Sequence, residues 1–319
     1  MPKNDQISIN DKLPKIILGG NVFGWSVDEP TSFKLLDYSI EQGLNAIDTA
    51  DIYSFWGDGN KGGESESIIG KWMAQRSNRS QVIVHTKGGF QNSPGEFENA
   101  NQSEKYLTKA VEASLKRLNT DYIDLYYVHQ DDQVTPPEET LGTLQKLMQQ
   151  GKILDIGISN IEPDRLIQFL EISKHESLPK YNYLQTLYNL YDRSEYEDKY
   201  QKFCVENDIN VLSYYSLAHG FLTGKYRSKE DLSKSPTRKE GVSGYLNAKG
   251  LSILAVLDDL AEKYQAKPAH IALAWISKQK GLVAPIASAT NIAQINDLIS
   301  ASKIELSISD VLLLNTCSF

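Results

Sequence analysis

Four side chains in the first 130 residues have the types and spacing to move a proton together. Asp48 and Tyr53 lie in "NAIDTADIY" (45–53), Lys87 in "VIVHTKGG" (82–89) and His129 in "LYYVHQ" (125–130). A free tyrosine has a pKa of about 10 and is a poor acid at neutral pH, but a neighbouring ammonium favours the phenolate and lowers that value. Asp48 beside Lys87 would keep the lysine charged and in place. The set amounts to a tunable proton donor for an oxygen on which negative charge develops. Taken singly, each residue has a plainer role: Asp48 as a cap, Tyr53 as one of 17 tyrosines, Lys87 as a solvated strand end, His129 as a structural histidine. His85, His175, His219 and His270 lack a comparable placement. Lys87 as a Schiff-base nucleophile is chemically open, but Asp48 and Tyr53 are better served by its charge.

These residues need elements that bring them to one place. Short runs rich in Val, Ile and Tyr recur at 15–20, 44–50, 81–88, 122–129, 153–160, 183–189, 210–217 and 282–288. Segments of helical periodicity separate them, among them "SFKLLDYSIEQG", "EKYLTKAVEASLKRLN", "TLGTLQKLMQQG" and "PDRLIQFLEIS". Near-continuous apolar strands indicate a parallel sheet buried on both faces. Eight strand-helix units predict an α/β fold, a (β/α)8 TIM barrel with an eight-stranded parallel sheet, as one domain over 1–319. In such a barrel, catalytic groups sit at the C-terminal ends of strands. Asp48, Lys87 and His129 end the second, third and fourth runs, with Tyr53 in the loop after the second.

Composition narrows the remaining classes. With 40% hydrophobic and 23% charged residues, the 319-residue chain reads as globular. A net charge of −8 without a run of five like charges argues against a nucleic-acid surface. No stretch reads as a membrane span, and the polar start "MPKNDQISINDK" lacks an apolar signal region, so the expected location is cytoplasmic. Cys204 and Cys317 stand apart without ligand spacing, and no metal site is expected.

The motifs "DTADIY", "VHTKGG" and "YVHQ", followed by "GESESIIGKWM" (63–73), "GKILDIGISN" (151–160), "LQTLYN" (184–189) and "LAHGFLTGKY" (217–226), resemble the aldo-keto reductases in order and spacing over nearly the whole chain. The resemblance implies a barrel that binds a nicotinamide dinucleotide, usually NADP(H), with NAD(H) as the alternative, and transfers hydride to a carbonyl. It implies Tyr53 as general acid, Lys87 as the group that tunes it, Asp48 as the partner of Lys87, and His129 as the group that orients the carbonyl. Ser159, Asn160 and Gln185 would hold the carboxamide, and Tyr214 would stack on the nicotinamide. Leu217, Gly220, Thr223, Gly224 and Lys225 would follow the pyrophosphate; from the residues alone, a small-residue loop ending in a lysine suits a diphosphate. Ser288, Thr290, Gln294 and Asp297 would follow the adenosine half.

Two departures stand out. "YYSL" at 214–217 puts Tyr215 and Ser216 where the family often has Ser-Pro, and Leu298 replaces a frequent Asn at the adenine. No Arg or Lys stands among the adenosine positions to grip a 2′-phosphate. "GDGNKG" at 57–62 spells G-x-G-x-x-G without a preceding strand and reads as a loop. Phe23, Trp25 and Trp56 are candidates to line a pocket for a small-molecule carbonyl substrate, and the polar segment 226–250 is a candidate cofactor lid. A cofactor-binding regulatory subunit with little turnover is the alternative function. The sequence does not speak to oligomeric state.

Overall fold

The computed structural model describes residues 9–90, 100–234 and 239–318. Eight strands form a closed barrel in the order β1 to β8: β1 (Ile17–Gly19), β2 (Ala46–Asp48), β3 (Ile83–Gly88), β4 (Ile123–Val128), β5 (Ile153–Ser159), β6 (Tyr183–Leu187), β7 (Asn210–Tyr214) and β8 (Leu282–Ala287). The recorded neighbours are parallel, as strands joined by crossover helices must be. All eight expected runs contain their strand, each trimmed where the chain turns out of the ladder.

By internal contacts the chain divides into two compact units, Met1–Leu184 with Ser288–Thr290, and Gln185–Ala287 with Asn291–Phe319. The first carries β1–β5 and the helices α1 (Glu29–Glu41), α2 (Glu64–Arg76), α3 (Glu104–Leu118), α4 (Pro137–Gln149) and α5 (Pro163–Glu176). The second carries β7, β8 and the helices α6 (Ser194–Glu197), α7 (Gln201–Glu206), α8 (Lys239–Ser243), α9 (Ala248–Lys263), α10 (Pro268–Ile276), α11 (Ile292–Ser302) and α12 (Ile308–Cys317). Among the described residues, no helix is long and apolar enough to cross a membrane.

Local chemistry starts the helices where the sequence changes period. Asp28 caps α1 by accepting the Thr31 N–H at 2.9 Å, Asn247 caps α9 through Gly250, and Ser307 caps α12 through Asp310. Within the first unit, period-two alternation decides which side chains face the barrel interior. All six residues of β3 are buried. Thr86 donates to Glu66 of α2 at 2.6 Å, so its face meets the helices. His85 and Lys87 therefore face inward. The register pairs Asp48 with His85, and Lys87 with Tyr127, which itself pairs with Gly157. A Cβ on Gly157 would lie 2.5 Å from the Tyr127 ring, so the missing side chain makes room for that ring.

Helices α2 and α3 approach more closely than side chains allow. A Cβ on Gly70 would meet the Arg117 carbonyl oxygen at 2.2 Å. Gly70→Ala gains about 1 kcal/mol of helix propensity, yet the clash is with backbone and forces the helices apart at a cost of about 1–3 kcal/mol or more. The variant is expected to unfold at lower urea than the parent; an unchanged or raised midpoint would refute the close approach.

Candidate active site

Lys87 is the centre of the site. Its ammonium has three N–H donors and three acceptors: Asp48 Oδ2 at 2.6 Å, the Thr49 carbonyl at 2.8 Å and the Tyr53 hydroxyl at 3.0 Å. Lys87 and Asp48 are each only 1% exposed. Burial pulls the lysine pKa below its ordinary value, and the Asp48 charge and hydrogen bond act against that pull. With every donor engaged, Lys87 is arranged as a fixed charge rather than as a free amine nucleophile.

The Tyr53 hydroxyl lies 3.5 Å from Asp48 Oδ2, a long and weak bond. The half-buried ring lies 4.6 Å from Lys87 Nζ and carries its hydroxyl out of a tied loop. The Tyr53 carbonyl accepts from Gly63 at 3.2 Å, Ser54 donates to the Phe23 carbonyl at 2.6 Å, and Asn60 reaches the carbonyls of Ser54 and Gly24 at 2.7 and 2.8 Å.

His129 follows β4 directly. Its backbone N–H donates to Gly88 at 2.8 Å, and its carbonyl accepts from the Asn160 side chain at 2.9 Å, so both neighbouring strands fix it. Its ring lies 6.3 Å from the Tyr53 ring and edge-on to Phe90 at 4.9 Å. Burial, reinforced by the Lys87 charge, holds its pKa well below the ordinary histidine value. The ring is neutral at pH 7, and its buried Nδ1 has no partner among the described residues. Deeper on the same face of β3, burial lowers His85 to about 4, and it too is neutral.

Of the pocket candidates, Trp25 and Trp56 stand edge-to-face at 5.6 Å, with Trp56 6.0 Å from Tyr53 and 39% exposed. Phe23 has no exposed surface and packs in the core. Phe55 and Phe90, not singled out in the sequence, complete the aromatic group around Tyr53 and His129. The Thr49 carbonyl was also missed, because a backbone acceptor leaves no trace in residue type. In "GDGNKG", the N–H groups of Lys61 and Gly62 already bond the Glu64 carboxylate at 2.7 and 3.0 Å. That loop is closed by the chain itself and has no strand before it.

Ser159 ends β5 and is buried, whereas Asn160, exposed at φ +47°, spends a side-chain N–H on the His129 carbonyl. Ser288 hydrogen-bonds Asn21, and Thr290 is exposed. In the second unit, Gln185 is buried on β6 and Tyr214 is half-buried at the end of β7. Ala218, His219 and Gly220 take successive left-handed conformations after Leu217. The nearest atoms to a Cβ built on Gly220 include Lys225 Cε and Nζ at 3.9 and 4.0 Å, so the glycine backbone lies beside that ammonium. Thr223 turns back to the Gly220 carbonyl at 2.7 Å, and Gly224, at φ +78°, ends the turn. A glycine cradle beside a cation fits a diphosphate. Gln294 lies in the first turn of α11, its N–H capped by Asn291, and Asp297 one turn later. Tyr215, at φ +50° and 46% exposed, lies on the His219 ring at 3.9 Å. Ser216 is buried within 2.9 Å of the Ser213 and Ile286 carbonyls. Of the segment 226–250, residues 235–238 lie outside the described residues; Gly241 packs so closely on His219 that a Cβ would come within 2.6 Å of Nδ1. Among the described residues, no group of three His, Cys, Asp or Glu could hold a metal ion.

Against known proteins, the sequence model of the aldo/keto reductase family matches residues 15–318. The chain is similar to aldo-keto reductase YhdN of Bacillus subtilis, 35% identical over 273 residues, covering 83% of this chain and 76% of that protein. It is 29% identical over 308 residues to aldo-keto reductase yakc [NADP(+)] of Schizosaccharomyces pombe, covering 93% of this chain and 86% of that one. Protein tas of Escherichia coli is 29% identical over 316 residues, with 92% and 91% covered.

Two outcomes are expected from this geometry. Lys87→Met strands the Asp48 carboxylate and should lower unfolding free energy by about 3–5 kcal/mol; in an Asp48→Asn background the loss should be clearly smaller, and equal losses in urea titrations would mean the two charges are not coupled. His85 has a folded pKa near 4 against an unfolded value of about 6.5. Its contribution is complete above pH 6.5 and is lost as pH falls towards 4, because the unfolded chain takes up the proton first. His129 acts with the same sign. Stability should therefore fall from pH 7 to 4, and His85→Leu should remove roughly 3 kcal/mol of that dependence; an unchanged slope would exclude the neutral buried histidine.

Proposed function

The chain belongs to the aldo/keto reductase family and is a nicotinamide-dependent oxidoreductase of that type; on that premise, we propose that it reduces a small aldehyde or ketone to an alcohol, reversibly, with Tyr53 as the general acid. The observation that carries this reading is the bond from the buried Lys87 ammonium to the Tyr53 hydroxyl at 3.0 Å, with Asp48 holding the same ammonium at 2.6 Å.

The dinucleotide supplies hydride at its nicotinamide carbon when bound. The chain supplies the rest. As negative charge grows on the carbonyl oxygen, Tyr53 releases its proton to it, and Lys87 stabilises the phenolate left behind. Asp48 keeps Lys87 charged in a site where burial favours the neutral amine. Neutral His129 donates an N–H to the same oxygen and fixes its direction without adding a second cation. In oxidation the phenolate takes the proton back. Trp25, Trp56, Phe55 and Phe90 offer the substrate an apolar wall beside this donor pair.

For the coenzyme, the proposed contacts in the first unit are Ser159 and Asn160 at the carboxamide and Ser288 and Thr290 at the adenosine half. In the second unit, Gln185 joins the carboxamide set and Tyr214 gives the ring a stacking surface. Leu217, Gly220, Thr223, Gly224 and Lys225 follow the diphosphate, and Gln294 and Asp297 the adenosine. We favour NADP(H) over NAD(H); support comes from the relative whose name carries NADP(+).

The test is a titration with NADPH and then NADH, followed by quenching of intrinsic fluorescence, and addition of 4-nitrobenzaldehyde while reduced nicotinamide absorbance is recorded. Tight NADPH binding and aldehyde-dependent oxidation are expected, with Tyr53→Phe keeping the binding and losing at least about 100-fold in turnover. Near-normal turnover in that variant would refute the assignment of Tyr53. Tight binding without turnover on any carbonyl would favour a regulatory binding subunit.

A further inference from the structure

A second set of titratable groups lies behind the strand that carries Lys87. Asp51, 4% exposed, donates its N–H to the Lys87 carbonyl at 2.9 Å. Gly88 points to the helix side by alternation with Lys87, and a Cβ there would lie 3.1 Å from Asp51 Oδ2 and 2.2 Å from the Tyr126 hydroxyl. The bare glycine thus admits a carboxyl group and a phenol directly behind the site. Asp51 Oδ1 and the Tyr126 hydroxyl are buried without a hydrogen-bond partner among the described residues. Glu66 of α2, by contrast, has both oxygens engaged, one by Arg117 of α3 and the other by Thr86, each at 2.6 Å. Two buried carboxyl groups therefore face one arginine, and the hydrogen bonds put the negative charge on Glu66. Asp51 is left as the neutral acid: burial and the Glu66 charge favour that form against the weaker pull of Arg117 and Lys87. The phenols of Tyr106 and Tyr126, which also face it, stay protonated because burial raises both. The cluster grips the Tyr53 loop at its start through Asp51. At the end of that loop it grips Gly63, where a Cβ would meet Arg117 Cδ at 2.6 Å and the N–H donates to the Tyr53 carbonyl at 3.2 Å.

Resting on the reading of Tyr53 above, we propose that Asp51, Glu66 and Arg117 are positioning residues: the Glu66–Arg117 pair holds Asp51 as an uncharged acid behind Lys87, so that Asp48 alone answers the ammonium and its remaining field acts on the Tyr53 phenol. A carboxylate at 51 would be a second anion close to Lys87 in a medium of low dielectric, where charges act over longer distances than in water. It would weaken the stabilisation of the phenolate and make Tyr53 a poorer acid. Glu66→Gln brings that state about. With the carboxylate partner of Arg117 gone, the arginine charge favours ionised Asp51, whose proton goes to solvent.

Two measurements on the full chain test this. The infrared difference spectrum between the parent and Asp51→Asn at pH 7 should contain the C=O band of a protonated carboxyl group; a carboxylate band in its place would overturn the proposal and leave the Tyr53 reading standing. The second measurement is the pH dependence of kcat/KM for 4-nitrobenzaldehyde with saturating NADPH. Reduction needs protonated Tyr53, so the rate falls as pH rises through the pKa of that phenol, and a weaker acid moves the fall to higher pH. Glu66→Gln should move it up by about half a pH unit or more, and adding Asp51→Asn, which cannot ionise, should bring it back. No shift in Glu66→Gln, or a shift that persists in the double variant, would overturn the proposal, because a merely structural contact changes the rate and leaves the profile where it was. If Tyr53→Phe turns over normally, the reading beneath falls and this proposal falls with it, whatever the infrared band shows.

Discussion

A lysine and an aspartate with 1% exposure each, 2.6 Å apart, set the terms for everything near them. Taking both charges out of water costs several kcal/mol per ion, and their attraction compensates only if the remaining donors and acceptors are satisfied in fixed geometry. Lys87 meets that condition through the Thr49 carbonyl and the Tyr53 hydroxyl. Thr49 is itself held, since its N–H donates to the His85 carbonyl at 2.8 Å on the next strand. The parallel register is therefore a requirement of the charge pair. A one-residue slip would turn Lys87 towards the helices and leave Asp48 alone in the interior.

The same constraint accounts for the protonation states around the pair. Burial and the Lys87 charge keep His129 neutral, and burial keeps His85 neutral. Behind the strands, Asp51 donates its N–H to the Lys87 carbonyl at 2.9 Å, and burial beside the Glu66 charge raises its pKa well above the carboxylate range. Glu66 is charge-paired with Arg117 at 2.6 Å. Around the Lys87–Asp48 pair, His85, His129 and Asp51 are each shifted towards their neutral forms, while Glu66 is matched by Arg117. That division keeps Tyr53 facing a single fixed positive group.

Much of this was legible in the sequence because strand ends concentrate it. Asp48, Lys87 and His129 declare themselves by residue type at the ends of apolar runs, and the eight runs each contain a strand. Less legible were contacts that residue type does not encode. A carbonyl such as that of Thr49 accepts whatever the side chain is. Phe90 reaches His129 across 39 positions of chain, and Lys267 and His270 reach Asp297 across 30 and 27; no local period links such pairs. Phe23 follows the first strand as a pocket residue would, yet only the packing of its loop shows that it is buried. In "GDGNKG" the deciding atom is the Glu64 carboxylate just beyond the motif, which occupies the N–H groups a phosphate would need.

The departures from the family pattern have physical consequences of their own. A proline at 216 would offer no donor, whereas the Ser216 hydroxyl lies within reach of a carbonyl on β7 and another on β8, and so ties two strands by hydrogen bonding where proline would only restrict the backbone. Tyr215 occupies a left-handed conformation that a side chain adopts at some cost. Its carbonyl is held by Asn189 at 3.0 Å and its ring lies against His219 at 3.9 Å. His219 in turn packs on α8, so the substitution at 215 connects the turn after β7 to the segment that follows Lys225. Burial of Leu298 removes a polar contact from α11 and leaves Asp297 as the acidic group there. What replaces the family's residues at these three positions is a set of contacts made between elements rather than within a motif.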